Sequence, residues 1–200
     1  MKKFAAILVL VALALFAYGC SNPPPNAITT NTSGNWEAQL TGGTGAAADL
    51  NFVINFNVSF TTGQSAQPLS ISGFSFINSG PCFLTGVTAT DQGGSATITT
   101  LSTSQVTGSM SLTITSQATS GTQAGNTLTL TATPSSGGGV SGTSSGTTAT
   151  SGTLTEGVAW GVWNLSNTVT PSNTMCGGTT PITGTFIMCQ NSTTCTIPGS

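Results

Sequence analysis

The segment LNFVINFNVSF, residues 50–60, determines the fold class of this chain. Every second position in it is apolar, at Leu50, Phe52, Ile54, Phe56, Val58 and Phe60. Because the side chains of a strand point alternately to its two faces, this spacing predicts a β-strand with one buried face. No window of the sequence shows a comparable helical period, so we expect the chain to fold from strands.

Shorter alternations of the same kind follow along the chain. They place candidate strands at residues 36–40, 49–61, 69–76, 82–90, 95–101, 105–116, 126–133, 157–165 and 181–189. The alternation changes phase at Gly73, which predicts a β-bulge, and Asp91-Gln92-Gly93-Gly94 is expected to form a hairpin turn. Residues 135–155 are mostly Ser, Thr and Gly, and fit either a strand of small residues or a loop.

Short strands separated by Gly, Asn and Pro predict one all-β domain over residues 35–200. Its short connections favour antiparallel neighbours. We expect a meandering antiparallel β-barrel of about 8–10 strands, with a two-sheet β-sandwich as the alternative. The opening Gly34-Asn35-Trp36 resembles the G-x-W start of lipocalin- and avidin-like (calycin) barrels, and that resemblance implies the barrel.

Residues 1–20 are similar to a bacterial lipoprotein signal. Lys2 and Lys3 precede an apolar run, residues 4–18, that is too short to span a bilayer and is typical of an export signal. Ala17-Tyr18-Gly19-Cys20 resembles the lipobox of bacterial lipoproteins, with Ala17 and Tyr18 where such boxes usually have Leu and a small residue. The resemblance implies cleavage before Cys20 and acyl chains such as palmitate on Cys20. An ordinary secretory signal is the alternative.

The lipoprotein resemblance also implies an address in the cell envelope. Ser21 stands where an aspartate often retains lipoproteins in the inner membrane, so we expect the outer membrane, on its periplasmic or surface face. Residues 20–34 contain three consecutive prolines and no apolar pattern, which indicates an extended tether. The expected organisation is a signal peptide at 1–19, lipidated Cys20 with its tether at 20–34, and one domain.

The near-absence of charge limits the functions of the domain. Lys2 and Lys3 are the only basic residues, the chain has no His, and 39 Thr and 25 Ser supply its polar groups. Beyond residue 3 the chain therefore has no side chain that can neutralise a phosphate, which argues against nucleic-acid binding and against attraction to anionic lipid. The expected partners are the membrane, through the lipid on Cys20, and a small hydrophobic ligand or a glycan; the sequence does not specify a protein partner.

Four cysteines remain if Cys20 is acylated: Cys82, Cys176, Cys189 and Cys195. An even number in an exported chain argues for two disulfides, with three possible pairings. We favour Cys189 with Cys195, across the short segment between them, and Cys82 with Cys176. We expect no metal site and no cofactor, because the chain has no His and no C-x-x-C pair.

Catalysis is not expected. A Ser or Thr nucleophile needs a base, and beyond residue 3 there is neither His nor Lys. A glycosidase pair of Glu37, beside Trp36, and Glu156, just before Trp160, is the rival hypothesis. Against it, the alternation of residues 36–40 predicts that Glu37 points to solvent, and Glu156 lies in a predicted turn.

The candidate ligand-binding residues are aromatic. Trp160 and Trp163 are three positions apart and therefore lie on opposite faces of a strand, so at most one is in the core. A partly exposed tryptophan could stack on a sugar ring. Phe56 and Phe74 belong to a phenylalanine-rich region that could line a cavity for a hydrophobic ligand, although core packing is the favoured role.

The sequence thus predicts a non-catalytic lipoprotein anchored in the envelope, with a structural or interaction role. A carrier of a small hydrophobic ligand inside the barrel is one alternative. A glycan binder or hydrolase that uses Trp and Glu residues is the other.

Overall fold

The fold is seen in a computed structural model, which describes residues 35–43, 50–57, 59–61, 67–68, 70–84, 90–100, 105–148, 151–169, 174–190 and 195–197. The signal peptide, Cys20 and the tether lie outside these residues. Among the described residues, helix is limited to two 3₁₀ turns, Pro134–Ser136 and Thr174–Cys176. Within the same residues, no helix has the length and apolar character to cross a membrane.

Eleven described strands form one sheet. They are β1 Asn35–Thr41, β2 Asn51–Asn57, β3 Ser59–Thr61, β4 Gln67–Pro68, β5 Ser70–Asn78, β6 Thr90–Thr100, β7 Gln105–Thr115, β8 Asn126–Ala132, β9 Gly139–Thr148, β10 Ser151–Asn167 and β11 Ile182–Gln190. All of the ladders between them are antiparallel. The prediction of an antiparallel all-β fold is therefore confirmed.

The sheet follows the order β4-β6-β7-β8-β10-β11-β1-β2-β5, and β3 pairs with the start of β10. Its first and last strands, β4 and β5, are separated in the chain by Leu69 alone. The two strands at the edges of this order, β4 and β5, therefore come from one segment of the chain, residues 67–78. Residues 49–61, expected as one strand, supply both β2, which pairs with β1 and β5, and β3, which pairs with β10.

Strands β8 and β9 share one place in the sheet. β8 pairs with the second half of β7 and of β10, and β9 pairs with the first half of both. Residues 126–148 therefore run end to end between β7 and β10 as two strands, which the segment 133–138 with its 3₁₀ turn separates. This resolves the ambiguity of residues 135–155 in favour of strand for Gly139–Thr148.

Two further expectations about β-structure are wrong, and one is confirmed. Gln92 and Gly93 lie inside β6, where they stand opposite a single residue of β7 and form a bulge instead of a hairpin. Residues 82–84 form a turn and a bend instead of the start of a strand, and residues 85–89 of the expected strand lie outside the described part of the structure. The bulge expected at Gly73 is present, since two residues of β5 oppose one residue of β2 there.

The interior is filled by large side chains. Those that are almost completely buried are Trp36, Trp163, Phe52, Leu40, Leu50, Ile54, Leu112, Ile114, Leu128, Leu130 and Leu154. Phe74 contacts the rings of Phe52 and Phe76 at centroid distances of 5.1 and 5.2 Å, and Phe76 stacks on Phe83 at 4.5 Å. Phe74 therefore contributes to core packing, the role favoured by the sequence.

A buried amide pair joins three segments at one end of the sheet. Asn126 and Asn167 face each other across β8 and β10, and Asn167 Nδ2 donates to Asn126 Oδ1. Asn126 Nδ2 also donates to the Cys82 carbonyl at 2.6 Å, and Asn167 Nδ2 to the Ala124 carbonyl at 2.6 Å. Because buried polar groups are costly unless they are hydrogen-bonded, these contacts fix the Cys82 turn against the ends of both strands.

Candidate functional site

The two tryptophans of β10 lie on opposite faces of the sheet, as the sequence predicts. Trp163 is fully buried, and its Nε1 donates to the Thr41 carbonyl at 2.9 Å. Gly184 lies opposite Trp163 in the register, and any side chain there would overlap that carbonyl oxygen. Trp160 is partly exposed on the other face of the sheet, which we call the outer face.

A groove lies on the outer face of β1, β11 and β10, and Trp160 forms part of its floor. The register explains the floor, since two successive rows across these strands are Gln39–Ile187–Trp160 and Thr41–Thr185–Val162. Because residues paired in a ladder share a face, all six side chains point to the same side. The groove has a volume of about 340 Å³.

The break between β8 and β9 forms one wall of the groove, through Ser136 and Gly137. Ser136 Oγ donates to the Thr133 carbonyl at 2.9 Å, and Gly137 closes the turn with a φ of 71°, which favours glycine. A side chain at Gly138 would overlap the Trp160 carbonyl. The Gly137-Gly138-Gly139 segment therefore allows the chain to return to the sheet directly beside Trp160.

A second part of the groove lining comes from the segment after β11. Ile197 lines the groove, two residues after Cys195. A disulfide joins Cys195 to Cys189 of β11, with a Cα–Cα distance of 6.0 Å. Since Cys189 lies one row from Ile187 on the outer face, this bond holds residues 195–197 next to the groove.

Both cysteine pairs favoured by the sequence are bonded in the structure. The second disulfide joins Cys82 to Cys176, with a Cα–Cα distance of 5.5 Å and both residues fully buried. Among the described residues, no three His, Cys, Asp or Glu side chains are grouped in a way that could hold a metal ion.

Glu37 occupies an unexpected environment. The alternation of β1 predicts an exposed side chain, but Glu37 is only 2% exposed, so that prediction is wrong. Its partners in the register are Val53 and the disulfide-bonded Cys189. Because Glu37 and Cys189 are both buried, this part of the outer face is covered. Glu37 Oε2 is buried without a hydrogen-bond partner, and burial raises the pKa of this carboxyl group above its ordinary value.

The raised pKa of Glu37 predicts that this residue's contribution to stability is largest in acid and decreases towards neutral pH. The folded chain binds this proton more tightly than the unfolded chain, so the free energy of unfolding should fall as the pH rises from about 4.3 through the folded pKa. Glu37→Gln stays neutral and should abolish this fall. Urea denaturation of both proteins between pH 3.5 and 8 measures the difference.

The exposed Glu156 supplies the matched control for this measurement. Comparison of Glu156→Gln with Glu37→Gln separates an effect specific to position 37 from the effect of any Glu-to-Gln exchange. Parallel profiles for the wild type and Glu37→Gln would contradict the burial of an ionisable Glu37.

The structure separates the residues that the sequence proposed for ligand binding. Trp160 lies in the groove, whereas Trp163 and Phe74 belong to the core. Phe56 lies in β2, and its side chain is outside the described part of the structure. Three groove residues were not predicted from the sequence: Gln39, Ser136 and Ile197. Only Ser136 has a recognisable signal in the sequence, because the glycine run that follows it marks a break in a strand.

Comparison of the whole chain with protein-family models, with curated proteins and with solved structures finds no match. The function is therefore inferred from the chemistry of the groove and of the amino-terminal residues.

Proposed function

We propose that this chain is a non-catalytic lipoprotein, held in the cell envelope by acylated Cys20, that binds a partner through the groove at Trp160. The main support is the position of Trp160. A large aromatic side chain is left partly exposed on the outer face, in a groove lined by distant segments. Large exposed apolar groups set in a concave surface are typical of binding sites.

The chemistry of the groove supports binding rather than catalysis. Its polar side chains are the amide of Gln39 and the hydroxyls of Thr41, Ser136 and Thr185, and none of these residues is charged. General acid–base catalysis needs a group that titrates near the working pH. Beyond residue 3 the sequence contains no His or Lys that could take this role.

A carrier and a glycosidase have weaker support. A carrier would need space inside the domain, but the buried face is occupied by large side chains that include Trp36, Trp163 and Phe52. A glycosidase would need two carboxyl groups that reach a sugar, and Glu37 is buried.

Photo-crosslinking in living cells tests the groove as the binding surface. A photoreactive residue in place of Val162, which lines the groove, should form adducts with an envelope component. The same residue in place of Val169 is the matched control, because Val169 is 66% exposed and follows the end of β10, outside the groove. Equal adducts at both positions, or none at Val162, would contradict the proposed surface.

The anchor is tested separately through Cys20. The wild-type protein should incorporate labelled acyl chains and sediment with membranes. Cys20→Ser, exported on an ordinary secretory signal in place of residues 1–19, should incorporate none and should appear in the soluble fraction of the envelope. Membrane retention of Cys20→Ser at the wild-type level would show that Cys20 is not the anchor.

A further inference from the structure

We infer that the groove at Trp160 binds a neutral carbohydrate. The inference rests on the proposed function, since it names the ligand of the same groove. It follows from the aromatic floor, the hydroxyl groups beside it, the absence of charge and the size of the groove.

The aromatic floor is held in place by the backbone. The indole ring of Trp160 lies against Gly139, where an added Cβ would be 3.3 Å from the ring. In the neighbouring strand β11, Ile187 lies beside Trp160. A ring that is fixed on one side and partly exposed on the other offers a flat apolar surface, which suits the C–H face of a pyranose ring.

The hydroxyl groups next to the floor suit the edge of the same sugar. Thr41 Oγ1 and Thr185 Oγ1 are 3.1 Å apart and share one hydrogen bond, and both residues are exposed. Each hydroxyl carries two acceptor lone pairs, so this pair retains acceptors for the O–H groups of a ligand. Trp160 and the threonine pair occupy adjacent rows of the sheet, which allows one ring to contact both.

Charge and size narrow the class of ligand. None of the described residues that line the groove is charged, and the chain has no basic side chain beyond residue 3, so an anionic group would find no counter-charge. A volume of about 340 Å³ lies at the lower end of the range of about 300–1,000 Å³ for small-molecule sites. The size of the groove therefore suits a few sugar rings better than a folded partner, and its lack of charge favours a neutral glycan over an acidic one.

Calorimetric titration of the full chain carrying Cys20→Ser tests the inference without detergent. The probes are neutral cello-, malto- and chito-oligosaccharides of two to four rings, with hyaluronan oligosaccharides as the acidic comparison. We expect saturable binding of at least one neutral series and markedly weaker binding of the acidic one. Binding of hyaluronan as tight as that of every neutral series would overturn the assignment, and so would no binding of any neutral series.

Variants at Trp160 connect binding to the groove. Trp160→Ala should weaken the binding about tenfold or more, and Trp160→Phe, which keeps an aromatic surface, should weaken it less. Val169→Ala is the control outside the groove and should bind like the parent. Unchanged binding by Trp160→Ala, with its urea midpoint showing it folded, would overturn the inference, as would equal losses in Trp160→Phe and Trp160→Ala.

Failure of this inference differs from failure of the proposed function. If the Val162 adducts form in cells but no neutral oligosaccharide binds, the carbohydrate assignment is wrong and the groove remains a binding surface. If neither is observed, both are wrong.

Discussion

Replacement of Cys82 and Cys176 together by alanine should lower the free energy of unfolding by about 4–5 kcal/mol. The two cysteines are 94 residues apart in sequence, and a cross-link that closes a long loop removes much of the entropy of the unfolded chain. Urea denaturation under non-reducing conditions measures the loss. The wild type treated with a reductant should have a lower midpoint than the double variant, because the reductant also opens the Cys189–Cys195 disulfide.

The shorter disulfide provides the comparison. Cys189 and Cys195 are 6 residues apart, so the corresponding double-alanine variant should lose only about 2 kcal/mol by the same loop-closure argument. If the Cys82–Cys176 pair could be removed with a loss below about 1 kcal/mol, the long cross-link would not be constraining the unfolded chain.

Trp163→Ala should destabilise the domain by about 3–5 kcal/mol. The substitution leaves a large cavity in a fully buried site and removes the hydrogen bond from Nε1 to the Thr41 carbonyl. Trp160→Ala, three residues away, should cost far less, because Trp160 is already partly exposed on the outer face. Thermal and urea unfolding of the two variants measure the contrast.

Trp163→Phe separates packing from hydrogen bonding at this site. Phenylalanine keeps much of the apolar volume but cannot donate to Thr41. We therefore expect Trp163→Phe to have a free energy of unfolding between those of the wild type and Trp163→Ala. Similar losses for Trp160→Ala and Trp163→Ala would contradict the assignment of the two residues to opposite faces.

The strands with long alternations could be predicted from the sequence. In residues 50–60 and 105–116, large apolar side chains recur at every second position, so only one face of each segment can be buried. β9 could not be predicted in this way, because Val140 is its only large apolar residue. Its strand conformation depends on the ladders to β7 and β10, which a local pattern does not contain.

The environment of Glu37 and most of the groove lay beyond sequence reasoning. Alternation distinguishes the two faces of a strand, but it does not reveal what covers each face, and the outer face at Glu37 is covered. Gln39, Ser136, Trp160 and Ile197 meet only in the folded chain. Of these four, only Trp160 belongs to a residue type whose spacing marked it as a candidate.

The turn between β8 and β9 is a part of the groove that can change without loss of the fold. Each of these strands is paired on both sides, with β7 and with β10, so its place in the sheet does not depend on the turn between them. Pro134 and Ser135 of that turn are exposed. Exchange or lengthening of residues 134–136 would therefore alter what the site recognises while the ladders stay intact, which makes this turn an interchangeable element through which new ligand preferences can evolve.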